Sequence, residues 1–419
     1  MHEVSIIIEG NEDIPERIAE FADRVRNERQ INDKSVLFQI FSSVINRDDA
    51  LSTAAKIKNI MPDASVIGTS SSGEIADGSK CNKTTVVSVL MFSDSTVKTC
   101  IYDCSLMSER ESGRDLADRL SDMPDAAGIE VLNTASRMKT EEFFDEADKQ
   151  AGEITVFGGG AAGKTIFSED SFVFSDGTSV ETGAVIAIFC GKDLHIEAAS
   201  YSGWTPIGKE MKITEATDRC IRSIDGIPAM AIYEKYLNIH DDDMFGSLAM
   251  EFPFFIKRND TYLPRIPGDT DGSGGLRFIA DVEENDKIRL AYGDPGKIVA
   301  GSVSTVPVKM REFAPEYIFI VACDSRQVFL KNYAETELKP FEDICPNSGF
   351  YSHGEIISSG GTTTINNAIL LAVGMREGDI KNTSDARGMQ YEENKVPTIS
   401  GDPQLVARLT NFLEVMAKE

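Results

Sequence analysis

The sequence predicts a mixed α/β (α+β) protein: two modules of repeated strand–helix–strand–turn–strand units with mixed sheets, then a connector helix. Three observations carry that prediction. A length of 419 residues exceeds what one ordinary core organises. Short apolar runs rich in β-branched and aromatic residues alternate with segments long enough for helices. The pattern G-x-x-S-x-G-E-I occurs twice, as Gly68-Thr-Ser-Ser-Ser-Gly-Glu-Ile75 and Gly349-Phe-Tyr-Ser-His-Gly-Glu-Ile356.

The elements follow in order from each octapeptide outward. Upstream lie the strand-like runs VLFQIFSS from Val36 and YIFIVACD from Tyr317, and the interval to the octapeptide is the same in both. Between run and octapeptide, helices are expected over Asp49 to Met61 and Gln327 to Phe341. Downstream, Thr84 to Phe92 and Asn366 to Met375 read as buried strands. A weaker third copy sits between them: GIEVLNTA, a helix around Glu141 to Gln150, ITVFGGGAAG and GAVIAIF. The modules are expected at 1–194 and 195–397, with the connector at 398–419.

Two glycines bracketing a strand end permit positive φ or close backbone approach, and the side chains between them line whatever space the turn borders. In the first copy these are small hydroxyls, which suit packing or a backbone-lined cavity. In the second they are Phe350, Tyr351, Ser352 and His353, which suit recognition of a ligand. The stretch Gly158–Thr165, GGGAAGKT, satisfies the phosphate-loop pattern, but that loop must open a helix. Here β-type runs broken by SDGTS follow, so the match reads as a glycine-rich turn.

Composition narrows function. A net charge of −26 and pI near 4.6 disfavour nucleic acid and anionic membranes as partners, because both need a basic face. The first residues lack the basic flank and apolar core of a signal peptide, and no apolar stretch is long enough to span a bilayer. Seven scattered cysteines without a C-x-x-C pair read as reduced thiols of a cytoplasmic protein. No zinc motif or nucleophile elbow stands out. The loop PGDTDGSGG, Pro267 to Gly275, lacks the acidic spacing of an EF-hand and reads as a connection or a pocket lid.

The C-terminal text is more specific. SGWTPIGKEMKITEATDRCIRSIDGIPAMAIYEKYL (Ser202 to Leu237) joins a glycine turn to β-type segments and a helix beginning near Pro228. Together with VACDSR, GFYSHGEI and TTTINNAILLAVGMRE, it resembles the FIST family of bacterial sensory domains; ASVIGTSSSGEI and FGGGAAG resemble the N-terminal module of that family. The resemblance runs from about Val4 to Glu377. It implies a sensory input joined to a signalling output, with a small metabolite such as an amino acid as ligand. One subset of the family binds haem to sense nitric oxide. The family commonly carries an aromatic residue at the position of His353.

The candidate ligand-binding residues are Arg326, Phe350, Tyr351, His353 and Glu355. Arg326 follows a buried strand and could clamp a carboxylate in bidentate fashion, or pair with Glu355 or Asp324. Glu355 and Glu74 match in position, which favours a shared structural task. Were haem bound, His353 or His240 would supply the axial imidazole: His2 is terminal, and His195 lies in an alternating strand. An enzyme acting on a carboxylated metabolite at Arg326 and Glu355 is a further reading. Finally, Leu405, Leu409, Phe412, Leu413 and Met416 share one helical face after the start signal SGDP. That helix is expected to fold back on its own module or to pair with a second copy, and to connect to a downstream partner.

Overall fold

The computed structural model describes residues 1–241, 244–258, 261–379 and 403–418. The first unit runs β1 (His2–Glu9), α1 (Ile14–Glu28), β2 (Ser35–Ser42), α2 (Arg47–Ile60), β3 (Ser65–Ser70), β4 (Glu74–Ala76), β5 (Ser79–Cys81) and β6 (Thr84–Phe92). The second repeats that order as β7 (Thr96–Asp103), α3 (Glu109–Ser121), β8 (Ala126–Asn133), α4 (Thr140–Ala151), β9 (Thr155–Gly160), β10 (Val173–Ser175), β11 (Thr178–Val180) and β12 (Gly183–Cys190).

The third unit opens with β13 (Leu194–Tyr201) and is then interrupted by an inserted module. The insert comprises β14 (Thr205–Thr217), β15 (Cys220–Ile224), β16 (Ile227–Pro228), α5 (Ala229–Leu237), α6 (Phe245–Ala249), β17 (Phe254–Arg258), β18 (Thr261–Arg265), β19 (Asp269–Thr270), β20 (Leu276–Arg277) and β21 (Lys287–Tyr292). The unit resumes with α7 (Pro295–Phe313), β22 (Tyr317–Cys323), α8 (Asp324–Leu330), α9 (Ala334–Leu338), β23 (Asn347–Ser352), β24 (Glu355–Ser359), β25 (Thr362–Asn366) and β26 (Leu370–Glu377). A last helix, α10, spans Pro403–Lys418. The 398–402 part of the expected connector, including most of SGDP, lies outside the described residues, as does the module boundary at 397.

Three sheets share one strand order: β1-β6-β2-β3-β10-β11, β7-β12-β8-β9-β24-β25 and β13-β26-β22-β23-β4-β5. In each, the only parallel pair among the described residues is β2–β3 or its counterpart β8–β9 or β22–β23. Each unit passes its short hairpin to another unit's sheet. Thus β4–β5 of the first completes the third, β10–β11 of the second completes the first, and β24–β25 of the third completes the second. Residues 1–194 and 195–379 therefore share sheets.

Period-two alternation explains the layering. In β2, Leu37 and Phe41 join Phe157 and Phe189 of the second sheet and Phe319 and Phe350 of the third in one central core. Phe38 and Ile40 point the other way, onto α1 and α2. α3 and α4 cover the second sheet and α7 covers the third. The expected helix over Gln327 to Phe341 is broken into short pieces, including α8 and α9.

The inserted module has a separate core, to which α10 adds Leu405 and Phe412. Phe412 lies 5.9 Å from Tyr236, and Asn411 donates to the Tyr236 carbonyl at 2.9 Å. The helix folds back on its own chain, with Leu409 and Met416 also seated and Leu413 exposed. The loop Pro267 to Gly275 is an ordered hairpin, in which Asp271 accepts from the Ser273 and Gly275 amides at 2.8 Å and pairs with Arg222 at 2.5 Å.

Candidate functional site

The two octapeptides are neighbours in one sheet. Gly349 pairs with Ile75 and Phe350 with Glu74, antiparallel, and the Tyr351 amide donates to the Gly73 carbonyl at 2.8 Å. The opening glycine stands opposite the adjacent parallel strand in all three units: Gly68 beside Ile40, Gly158 beside Val131 and Gly349 beside Ile320. A Cβ at Gly349 would lie 1.7 Å from the Ile320 carbonyl oxygen, and one at Gly158 would lie 1.9 Å from that of Val131. The second glycine turns the chain into its hairpin, with φ of 154° at Gly73 and 108° at Gly354.

Glu74 and Glu355 follow that turn and are fully buried. Glu74 accepts from Ser71 at 2.6 Å, Thr84 at 2.6 Å and Ser43 at 3.2 Å. Glu355 accepts from Ser352 at 2.6 Å and from the Ile369 amide at 3.4 Å. Burial raises both carboxyls, that of Glu355 to about 8, against the opposing pull of these donors.

The remaining residues expected to hold a ligand are occupied by the protein itself. Arg326 is 1% exposed and pairs in bidentate fashion with buried Glu337, at 2.7 and 2.5 Å, rather than with Glu355 or Asp324. Its third nitrogen donates to the Ser202 and Ala368 carbonyls, and the guanidinium lies 5.5 Å from the Trp204 ring centroid. Phe350 stacks on Phe41 at 5.0 Å in the central core. Tyr351 carries Lys80 over its ring at 5.6 Å. His353 is 4% exposed, with its Nε2 3.7 Å from Asp324. Burial works against ionisation of Asp324, but His353, Gln327 and Ser72 outweigh it and hold the carboxyl below its usual range. Tyr351 and His353 thus meet Asp324, Gln327 and Ser72 at the seam between the two octapeptides, whereas Phe350 and the Arg326–Glu337 pair belong to separate surroundings.

Of the two octapeptides, the hydroxyl-rich first copy is the one that borders open space. A cavity of about 670 Å³ is bounded by Ser42–Arg47 between β2 and α2, by Ser70–Ser72 after β3, and by residues of the 162–172 connection donated with the second unit's hairpin. It sits beyond the carboxyl ends of the parallel pair β2–β3. Its inner wall is serine backed by Glu74. Its rim carries Arg47, Lys164, Glu169, Asp170 and Glu181. Arg47 is braced by Glu181 at 2.6 Å and Ser179 at 2.5 Å. The phosphate-loop-like stretch contributes Gly163 and Lys164 to this wall, but Gly158–Gly160 ends a strand, and the chain runs from Lys164 to β10 without a helix.

Sequence reasoning placed recognition at the aromatic copy and gave the hydroxyls of the first copy to packing or a backbone-lined cavity; it did not single out Ser42–Arg47, which border the cavity. The run of hydroxyls in FSS and TSSS was the available signal. Neither histidine considered for haem suits that group. His353 is enclosed beside Asp324, and His240 is surface-exposed, with its ring 3.9 Å from Glu234. Neither lines this cavity, whose wall mixes serines and charged residues with Val44, Ile45 and Phe172 and offers no imidazole. Asp242 and Asp243, which follow His240, lie outside the described residues. His2, expected at a loose terminus, is held in β1 opposite Met91.

Interlocked mixed sheets around one core, with a cavity at the end of a parallel strand pair, define a mixed α/β protein. Two family models place the chain further: the FIST N domain matches residues 36–227 and the FIST C domain matches residues 229–358. The chain belongs to the FIST family of sensory domains. No protein of curated function matches it. Among solved structures it is similar to a cyanuric acid hydrolase from A. caulinodans, at 7% identity and TM-score 0.34, covering 90% of this chain and 99% of that one. It is also similar to a chorismatase, at 7% identity and TM-score 0.30, covering 89% and 98%. Likenesses of this strength carry no conclusion about activity. Among the described residues no helix is long and apolar enough to cross a membrane.

Proposed function

We propose that this chain is a sensory domain whose ligand, a small zwitterion of the amino-acid class, enters the serine-lined cavity of the first unit, and that occupancy is relayed to a partner through the inserted module and α10. The observation that carries this reading is the cavity itself, which combines hydroxyl donors and acceptors within and charges of both signs at the rim. Arg47 and Lys164 suit a carboxylate, and Glu169, Asp170 and Glu181 suit an ammonium. The Arg326 network supports a structural role, since the guanidinium is buried and each of its nitrogens has a protein partner; Arg47 is also partnered at all three nitrogens, by Ser179 and Glu181, but stands half-exposed at the rim, where a ligand carboxylate can displace them.

Native mass spectrometry of freshly purified protein, followed by thermal shift across an amino-acid panel, tests the proposal. A ligand at about 100 times its dissociation constant adds about 2.7 kcal/mol of stability. Arg47→Ala combined with Lys164→Ala is expected to remove that gain. No retained mass and no shift across the panel would sink the reading.

A further inference from the structure

The three exchanged hairpins are reached by connections of unequal length. Three residues, 71–73, lead from β3 into the first, and two, 353–354, lead from β23 into the third, whereas twelve, 161–172, lead from β9 into the second. The added length forms neither strand nor helix. It spans two neighbours instead.

The inward side of this connection walls the serine-lined cavity with Gly163, Lys164 and Glu169–Phe172. Both ends are stitched to Ser70 of β3: the Ala162 amide donates to the Ser70 carbonyl at 3.0 Å, and the Phe172 amide donates to the Ser70 hydroxyl at 3.0 Å. Between the stitches the segment is tied to itself. Asp170 accepts the Lys164 amide at 3.1 Å, and the Ser168 hydroxyl donates to the Thr165 carbonyl at 2.8 Å. Arg137 of the second unit steadies the same stretch through the Glu169 carbonyl at 3.0 Å. A loop closed on itself in this way shifts as one body.

The outward side is Ile166 and Phe167, and both rest on the inserted module. A Cβ at Gly268 would stand 2.6 Å from Ile166 and 3.0 Å from the Phe167 ring, so the bare backbone of Gly268 is what lets the connection seat there. The Arg277 guanidinium lies over the Phe167 ring, 4.6 Å from its centroid, as a cation–π contact. From there the route runs through strand pairing: Arg277 stands opposite Cys220 and Leu276 opposite Ile221. Leu276 and Ile221 share one core with Leu405 and Phe412 of α10.

We propose that the 161–172 connection couples the serine-lined cavity to the inserted module. The inference rests on the zwitterion reading of that cavity and names the element through which its occupancy acts. A ligand whose carboxylate takes Arg47 of α2 and whose ammonium takes Asp170 touches the first unit at one end and the connection at the other. Binding fixes the separation of the two, and the seat of Ile166 and Phe167 carries that position to β20 and to the core that holds α10. Such coupling is reciprocal, so the docking of α10 biases the cavity in turn.

The test is amide hydrogen exchange over residues 403–418 of the full chain, with and without a mixture of the common amino acids, alongside the thermal shift that the same mixture gives. The wild-type chain is expected to show both a shift and altered exchange in α10. Phe167→Ala should keep the shift and lose the α10 response. Arg277→Ala removes the other half of the contact from an exposed position and should read the same loss even where Phe167→Ala does not fold. The retained shift separates a broken relay from general stabilisation. No shift in the wild-type chain would remove the cavity reading and this inference with it. A shift without altered exchange in α10, or an α10 response that survives in the folded variants, would overturn the coupling and leave the cavity reading standing.

Discussion

Glu74 and Glu355 stand at corresponding positions of two exchanged hairpins, and each accepts a 2.6 Å hydrogen bond from the serine three residues before it, Ser71 and Ser352. The shared G-E-I ending is thus a shared fastening: a glycine reverses the chain, and a buried carboxyl ties the turn to the strand that follows. In the second unit Val173 occupies the matching register, and the longer connection before it forms a wall of the serine-lined cavity.

This fastening, together with fully buried Glu130 of β8, which accepts from Gln39 at 2.6 Å, has a pH signature. The folded protein holds protons on Glu355 and Glu130 to about pH 8, whereas an unfolded chain releases them near 4.5. Their contribution to stability is therefore complete below about pH 4.5 and is lost as pH rises through 8. Denaturant midpoints measured from pH 5 to 9 should fall across that window, and Glu355→Gln or Glu130→Gln should flatten the fall.

The opening glycines should not be equally sensitive. At Gly349 a Cβ meets backbone at 1.7 Å, the Ile320 carbonyl oxygen, whereas at Gly68 the nearest atoms belong to the Phe174 ring at 2.3 Å and the backbone contact, the Ile40 carbonyl oxygen, is longer at 2.7 Å. A ring edge can shift more readily than a paired strand. Overpacking generally costs about 1–3 kcal/mol, and Gly349→Ala is expected at or above the top of that range, with Gly68→Ala below it. Equilibrium urea unfolding of both variants would decide the order.

Breaking the Arg326–Glu337 pair should cost far more than replacing it. Removing one partner of a buried ion pair typically costs about 3–5 kcal/mol, because the other charge is left uncompensated. Glu337→Ala or Arg326→Ala should approach that value, and Arg326→Met with Glu337→Leu should recover much of it. If the double variant keeps ligand-induced stabilisation, Arg326 is a framework residue; if stabilisation vanishes while the fold holds, the guanidinium contacts the ligand after all.

Docking of α10 should hinge on Phe412, which fills the space against Gly208 and Tyr236. Phe412→Ala is expected to strip amide-exchange protection from residues 403–418 while leaving the central strands protected. Equal loss of protection in β2 and β22 would contradict this.

What the sequence made legible was local. The apolar runs from Val36, Tyr317 and Thr84 became β2, β22 and β6, and the helix around Glu141 to Gln150 became α4, because buried strands and amphipathic helices carry their own periodicity. Partner choice is not periodic. Nothing near Gly349 announces that Ile75 lies beside it, or near Arg326 that Glu337 is its counterion. The side chains at the aromatic octapeptide suggested recognition because their chemistry fits ligands, yet the same chemistry satisfies a core. The serines suited either packing or a cavity, and only the fold reveals that the neighbouring connection stands away from them.

The circular exchange of hairpins has a consequence for taking the molecule apart. Each unit borrows a piece of its own sheet from another, so the loan closes only when all three are present. A polypeptide ending near residue 194 lacks β24–β25, leaving its second sheet with a bare edge beside β9, and holds β4–β5 with no strand to receive them. Separately made fragments should aggregate or remain partly unfolded when alone, and should regain a cooperative transition on mixing, much as keystones do nothing until the arch is closed.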